Sequence, residues 1–163
     1  MDTQEKALLR SLFVDQPVGS LATLHQSNPA VSMVPFVLLE PDLLAIHVSE
    51  LAAHTRDMRL HPHVSLMVMQ TLAQARSSMP DQAAEVTPLA LARASASCLV
   101  EHPERGGSAW QQAQQAYLDK YPESEPLCGC GDFSLVLLRI QDIRWVAGFG
   151  RARSVRQVPV AAS

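Results

Sequence analysis

The sequence predicts an α+β protein, an antiparallel six- to seven-stranded β-barrel with two or three flanking helices. Two observations predict this class. Short apolar or alternating segments bounded by turn residues recur along the chain, and most follow one another without a helical crossover. The length of 163 residues favours one domain. We expect the barrel to occupy residues 1–153, with a weakly structured tail over 154–163.

Two helices and four strands are predicted in the N-terminal half. Asp2 and Glu5 form a capping pair for the first helix, whose apolar residues make one stripe. Pro35 in the second strand indicates an edge, a bulge, or a backbone N–H that does not face a neighbouring strand. Ser49 is the expected N-cap of the second helix. In chain order the elements are helix 2–16, strands 19–25, 30–39 and 43–48, helix 49–60 and strand 64–69.

The C-terminal half begins with a polar, alanine-rich segment, residues 71–88, which we expect to be a long mobile loop. Later, Trp110 and Tyr117 share one face of a predicted helix together with Ala113 and Tyr121. The remaining predicted elements are a strand over 89–100, that helix over 108–121, and two final strands over 133–140 and 143–149.

Composition excludes several classes of function. The formal net charge is −3, from 13 basic and 16 acidic side chains, which argues against sequence-independent binding of nucleic acid. The N-terminus lacks an apolar signal core, and no apolar run is long enough to cross a bilayer. We therefore expect a cytoplasmic protein that does not act at a membrane.

The chain has three cysteines, Cys98, Cys128 and Cys130. An odd number without a secretion signal argues against a disulfide framework. Cys128 and Cys130 could offer two thiolates to a metal ion, but a tetrahedral site needs about two further ligands. We therefore predict no metal site.

The segment from Val48 to Met58 carries the chemistry that is easiest to recognise. A helix start beside a strand end offers free backbone N–H groups and a positive dipole end. His54, Thr55 and Arg56 add a titratable ring, a hydroxyl donor and a forked permanent cation. These groups suit a phosphate monoester, although such triplets also occur on solvated helix faces. The residues alone leave both interpretations open.

Several segments, in order along residues 5–153, resemble the pyridoxamine 5′-phosphate oxidase-like FMN-binding split-barrel superfamily, and within it the haem-utilisation oxygenases. The matching segments are Gly19–Thr23, Val34–Phe36, Leu51–Arg56, Pro62–Leu66, Asp132–Leu135 and Val146–Gly150. The resemblance implies the split form of the barrel and a homodimer with FMN in a groove between two barrels. It also implies that the further C-terminal domain of the haem-degrading members has no counterpart here.

Cofactor-binding positions follow from the resemblance, residue by residue. It implies that the strand with Ser32, Val34, Pro35 and Phe36 runs past the flavin ring. Val48, Ser49, His54, Thr55 and Arg56, in the second helix and the strand before it, would hold the ribityl phosphate. Arg93 and Ser95 of a later strand would touch the flavin, and Phe149 would close the wall of the site. Asp57 stands where the group usually has Asn, so its carboxylate must turn away from a phosphate or pair with Arg59.

The expected function is FMN binding, with a flavin-dependent oxidoreductase of unknown substrate as the main hypothesis. No side chain stands out as a catalytic acid or base, so whether the protein is an enzyme stays open. A haem-binding or haem-degrading protein on the same barrel is the alternative, with His25 or His47 as the strand histidines that could hold iron. A non-enzymatic flavin carrier or sensor is the third hypothesis.

Overall fold

Seven strands form one antiparallel sheet in the computed structural model, which describes residues 1–79, 84–148 and 152–160. The strands are β1 (Val18–His25), β2 (Asn28–Glu40), β3 (Leu43–Ser49), β4 (His63–Met69), β5 (Arg93–Glu101), β6 (Phe133–Val146) and β7 (Ala152–Val155). The α-helices of the described part are α1 (Thr3–Val14), α2 (Ala53–Leu60), α3 (Leu72–Ser78), α4 (Ser108–Lys120) and α5 (Glu125–Cys128).

The sheet closes on itself to form a barrel. Its strand order is β3-β2-β1-β4-β5-β6-β7, and an additional pairing of β3 with β6 joins the ends of the first six strands. Strand β7 adds to β6 outside this closure. The predicted α+β class with an antiparallel six- to seven-stranded split barrel is therefore confirmed.

A single strand, β6, replaces the two strands predicted over 133–140 and 143–149. The polar pair Gln141–Asp142 looked like a turn, but the pairing of β6 with β5 continues through a register shift opposite Ser97 and Cys98. A bulge of this kind bends a strand without ending it. As a result the first half of β6 pairs with β3, and the second half pairs with β7.

The barrel core is apolar and sealed at one end by α1. Leu21, Phe36 and Trp145 are fully buried among the inward-facing side chains of the strands, and Leu9 and Phe13 of α1 pack on them. The Asp2–Glu5 capping box that begins α1 is present as predicted. Because inward residues alternate with outward ones, each strand buries one face in this core.

A second apolar cluster lies between the outside of the barrel and α4. The predicted helix face is confirmed, because Trp110, Ala113 and Tyr117 are buried against Ala45 and Leu137 of β3 and β6. This helix therefore covers one part of the barrel's exterior.

The predicted long loop over residues 71–88 is wrong over residues 72–78, and its mobility stays a prediction. Residues 72–78 form α3, begun by a capping box of Thr71 and Gln74. Ala75 packs with Val86 and Leu91 in a small buried cluster. A capping box and a few apolar contacts therefore support a helix here, although the composition of the segment is polar.

The segment predicted as a weakly structured tail, residues 154–163, is described as far as residue 160. Strand β7 extends to Val155, and the Val158 side chain is fully buried. The Val158 N–H donates to the Pro41 carbonyl at 2.7 Å, and Arg10 donates to the Pro159 carbonyl at 3.1 Å. Long-range contacts therefore hold this segment against the barrel, and its composition alone does not predict them.

Candidate functional site

The turn before α2 differs from the prediction. Strand β3 continues through Ser49, and the helix begins at Ala53 with Ala52 as its N-cap. Ser49 is therefore not the N-cap, because its hydroxyl accepts a hydrogen bond from the Leu51 N–H at 3.2 Å instead. Ala52 has no side-chain acceptor, so no side chain caps the first turn of α2.

The three predicted phosphate-binding residues of α2 have different environments. Thr55 is buried, and its hydroxyl donates to the Ser49 carbonyl at 2.6 Å, so its proton is already used. Burial lowers the pKa of His54, although nearby Asp57 opposes this change. Arg56 is exposed in the first turn. Arg56 is thus the member of this trio that presents a permanent cation to solvent.

Asp57 turns away from the α2 start. Its buried carboxylate lies 2.9 Å from Nδ1 of His25 and 3.5 Å from the Thr23 hydroxyl, which donates to it. Arg59 pairs with Glu50 instead, at 2.5 Å. Of the two arrangements expected for Asp57, the turned-away one is therefore present.

The Asp57 pairing also defines the chemistry of His25. An Nδ1–H that donates to a carboxylate leaves Nε2 as the free lone-pair nitrogen. The His25 side chain is 45% exposed. This is the arrangement by which a carboxylate orients a metal-binding histidine.

His47, the other histidine predicted as a possible iron ligand, is enclosed. Its ring packs between Tyr117 and Phe133, with ring centroids 5.4 and 5.1 Å away. Burial, together with the charge of Arg105, lowers the pKa of His47. His47 therefore serves the packing under α4, and His25 is the better placed of the two to meet a ligand.

The exterior of β2, β1, β4 and β5 forms a surface that we call the outer sheet face. Its apolar side chains Val31 and Met33 are 71% and 67% exposed, and Met67 and Met69 are 37% and 40% exposed. Small residues lie between these side chains. Strand pairing places Met33, Ser20, Met67, Ser95 and Arg144 side by side across β2, β1, β4, β5 and the neighbouring β6. In the same strand order, Val31, Ala22, Ser65, Ser97 and Asp142 are the next set of paired residues. An exposed apolar patch of this kind marks a site for a partner or a ligand.

Two arginines border the outer sheet face on the β5–β6 side. Arg93, a predicted flavin contact, is half-buried and donates to the Leu91 carbonyl at 3.1 Å. Arg144 is exposed and lies beside Ser95, the other predicted contact on β5. Within the described ranges neither guanidinium has a carboxylate within 4 Å. Arg144 was not among the predicted site residues, although its pairing with Ser95 places both side chains on the same face of the sheet.

The four residues predicted to run past a flavin ring divide into two pairs: Val34 and Phe36 have their side chains in the core, whereas Ser32 and Pro35 are half-buried. Val48, predicted in the ribityl-phosphate segment, is also in the core. Their roles toward a ligand stay predictions. Phe149, the predicted closing wall, lies outside the described residues.

The backbone after Pro35 is held by α4. The Phe36 N–H donates to the Tyr121 hydroxyl at 3.3 Å, which confirms the expectation of an N–H that faces something other than a strand. Lys120 donates to the Phe36 and Gln16 carbonyls at 3.0 and 2.9 Å. Burial lowers the pKa of Lys120 to about 8. These groups fix α4 on β2, and nothing in the local sequence pointed to them.

Two kinds of feature are absent from the described residues. No helix among them is long and apolar enough to cross a membrane. No group of three or more His, Cys, Asp or Glu side chains in these residues is arranged to hold a metal ion.

The closed six-stranded barrel with its extra strand and flanking helices defines the split-barrel class. The family model described as "CREG, beta-barrel" matches residues 2–161, and the chain belongs to this family. A putative pyridoxamine 5′-phosphate oxidase from Listeria innocua has the same fold, with a TM-score of 0.60 and 15% identity over 89% of this chain and 97% of that one. The predicted resemblance to split barrels of this superfamily is confirmed.

Relatives with more similar sequences are haem proteins by name. The chain is 27% identical to the haem oxygenase HutZ of Vibrio cholerae serotype O1 over 137 residues, which are 83% of this chain and 72% of HutZ. A haem-binding protein from Mycobacterium smegmatis is 29% identical, with a TM-score of 0.78 over 96% of this chain. The chain spans 59% of the length of that protein.

Proposed function

We propose that this protein binds haem, with the outer sheet face as the surface shared by two copies of the chain. The outer sheet face is the observation that carries this proposal. Two relatives described as a haem oxygenase and a haem-binding protein support it. The proposal concerns binding, and it replaces FMN as the first candidate cofactor.

The outer sheet face suits the chemistry of haem. A porphyrin is a flat apolar plate with two carboxylates at one edge. Met33 and Met67, separated by the small Ser20, offer an apolar platform. Arg93 and Arg144 at its border can donate charge-assisted hydrogen bonds to carboxylates. The apolar side chains thus match the porphyrin plane, and the arginines at the border match its carboxylates.

His25 is the proposed protein ligand of the iron. Its Nδ1 is held by Asp57, and its side chain is half exposed, which leaves Nε2 available. Haem would supply the chemistry of its iron, which axial ligation and surrounding polarity tune. The residues of this chain would orient the plate, neutralise its carboxylates and hold one iron position.

A single chain cannot supply both His25 and Arg144 to one haem. His25 lies five residues along β1 from Ser20, roughly 17 Å, and its side chain is on the other side of the strand, with Thr23 and Asp57. Arg144 lies three strands across from Ser20, roughly 14 Å. The diagonal is longer than a porphyrin. In a two-fold dimer, one protomer can supply the histidine and its partner the arginines. Pairing the outer sheet faces would also remove exposed methionine and valine side chains from water.

Haem titration followed by the Soret absorption tests the anion contacts. We expect the double variant Arg93→Ala/Arg144→Ala to bind haem at least about tenfold more weakly, because hydrogen bonds to charged groups contribute about 1.5–3 kcal/mol each. Lys6→Ala, which removes an exposed charge on α1, is the matched control and should bind as the parent does. A parent that shows no saturable spectral change would refute haem binding altogether.

Mixed dimers test the sharing of the site. His25→Ala alone should shift the Soret band, whereas His63→Ala, an exposed histidine of β4, should not. Dimers that combine a His25→Ala chain with an Arg93→Ala/Arg144→Ala chain should regain one intact site out of two. If both groups come from the same chain, every site in the mixed dimer stays defective and no affinity returns.

FMN binding is the second candidate, favoured by the first turn of α2. That turn lacks a side-chain cap and carries the exposed Arg56, and free N–H groups at a helix start bind phosphate. Quenching of FMN fluorescence tests it. Arg56→Ala should weaken FMN about tenfold, and Arg10→Ala is the control. Equal affinity of Arg56→Ala and parent would place any flavin phosphate elsewhere.

A further inference from the structure

The Cys128–Gly129–Cys130 turn has no role in the proposed cofactor site. It begins at the last residue of α5 and precedes β6, where the Phe133 N–H donates to the Cys130 carbonyl at 3.3 Å. Cys130 is exposed and Cys128 half-buried, and both are free thiols. Structural cysteines are usually buried and inert. Two thiols one residue apart, one of them exposed, therefore require an explanation of their own.

The backbone of the turn permits a bond between the two sulfurs. Cys128 ends α5, and Gly129 keeps helical dihedrals, with φ −84° and ψ −12°. Helical geometry separates Cα atoms two residues apart by roughly 5.4 Å, and a disulfide needs about 4.4–6.8 Å. A side chain added at Gly129 would find its nearest atom 4.0 Å away. Side chains two residues apart on a helix point to opposite sides, so the two thiols do not face each other in this conformation. Closing the ring therefore requires the backbone to rotate at Gly129, where glycine adds no Cβ strain and the surroundings are open.

Little holds the two thiols in their present positions. Cys130 Sγ donates one hydrogen bond to the Pro126 carbonyl at 3.3 Å. Cys128 interacts with the Gln114 side chain, and burial raises the pKa of its thiol. Sulfur hydrogen bonds are weak, so the side chains lose little by turning toward each other.

We propose that Cys128 and Cys130 form a reversible intramolecular disulfide, which makes this turn a thiol-exchange site for small disulfides such as oxidised glutathione. Cys130 is the attacking thiol because it is exposed, and Cys128 is the resolving thiol. Exposed disulfides closing small loops are the labile ones that exchange with the glutathione pool. This proposal does not depend on the cofactor that the barrel binds.

The exchange balances in two steps. The Cys130 thiolate attacks one sulfur of oxidised glutathione, forms a mixed disulfide, and releases the first glutathione, which takes up the thiol proton. The Cys128 thiolate then attacks the Cys130 sulfur, closes the protein disulfide and expels the second glutathione. Two protein thiols are oxidised, and one glutathione disulfide is reduced to two thiols.

Intact-protein mass spectrometry tests the proposal on the full chain incubated with oxidised glutathione. We expect the parent to lose the mass of two hydrogen atoms, and excess reduced glutathione to restore it. Cys128→Ser should instead gain one glutathionyl group at Cys130. Cys130→Ser should react more slowly, because its remaining surface thiol is half-buried with a raised pKa.

Cys98 provides the internal control. Its thiol is buried in the core, and burial raises its pKa to about 12, so Cys98→Ala should behave as the parent does. Stable double glutathionylation of the parent, a disulfide that includes Cys98 or joins two chains, or no reaction of either surface thiol would each overturn the proposal.

Discussion

Two parts of the barrel's exterior carry similar apolar side chains but end in opposite environments. On β2, the outward residue Val37 is 8% exposed under α4, whereas Val31 and Met33, on the same side of the same strand, are 71% and 67% exposed. Helix α4 covers the first part, and nothing within the described ranges covers the second. An alternating strand pattern therefore identifies outward apolar residues, but not whether the protein's own chain buries them.

The covered part should contribute most to stability. Tyr117 is buried between α4 and the barrel and contacts the rings of His47 and Tyr121. We expect Tyr117→Ala to lower the free energy of unfolding by about 3 kcal/mol, because a large buried aromatic side chain leaves a cavity. Urea denaturation measures it. Leu51→Ala, at a residue 76% exposed, is the control and should change stability by less than about 0.5 kcal/mol.

The uncovered part should control assembly rather than folding. If two outer sheet faces pair, Met33→Glu places a carboxylate in the shared surface and should convert the dimer to a monomer in light scattering. Val160→Glu is a matched control, because Val160 is 68% exposed and lies beside α1, where it lines a cavity with Ala7 and Val14. A parent that is already monomeric at micromolar concentration would end this part of the proposal.

Lys120, which connects α4 to β2, should make the stability of the protein depend on pH. Burial lowers the pKa of Lys120 from 10.5 to about 8. Between these values the unfolded chain binds more protons than the folded chain, so this lysine makes stability rise with pH from about 8 to 10.5. Cys98 and Tyr117, whose pKa values burial raises to about 12, act in the opposite direction above their ordinary values.

The contribution of Lys120 can be separated by comparing the pH dependence of stability in Lys120→Met and in the parent. Lys120→Met keeps the apolar stem over the Phe36 ring, which the ammonium approaches to 4.5 Å. We expect the stability of Lys120→Met relative to the parent to fall steadily from pH 8 to pH 10.5, because only the parent gains stability there. A difference that does not vary with pH would show that the folded-state pKa of Lys120 is not lowered.

The smallest expected effect is at the end of β1, where Asp57 orients His25. Asp57→Asn keeps the size of the side chain but removes its charge, and we expect a loss of about 1 kcal/mol in thermal unfolding. A double-mutant cycle with His25→Ala measures how much of the loss belongs to the pair. Additive losses from the two substitutions would show that the contact does not stabilise the fold.

Local patterns predicted most of the fold. Asp2 and Glu5 predicted the start of α1, and the strands up to Met69 lie close to their predicted bounds. Both succeeded because capping and alternation depend on residues that are neighbours in sequence. Two predictions failed for local reasons as well. The capping box of Thr71 and Gln74 was outweighed by a polar composition, and Gln141–Asp142 resembles a turn although it lies at a bulge.

By itself, the sequence determined the fold class, the apolar faces and the residue types available to a ligand. Only the tertiary structure decided which of them meet: Asp57 with His25, 32 residues away; Tyr121 with Phe36, 85 residues away; and Arg144 with Ser95 across two strands. Strand register sets these neighbours, and register depends on closing the whole barrel. Side-chain chemistry is local, whereas the distances that combine side chains into a site are not.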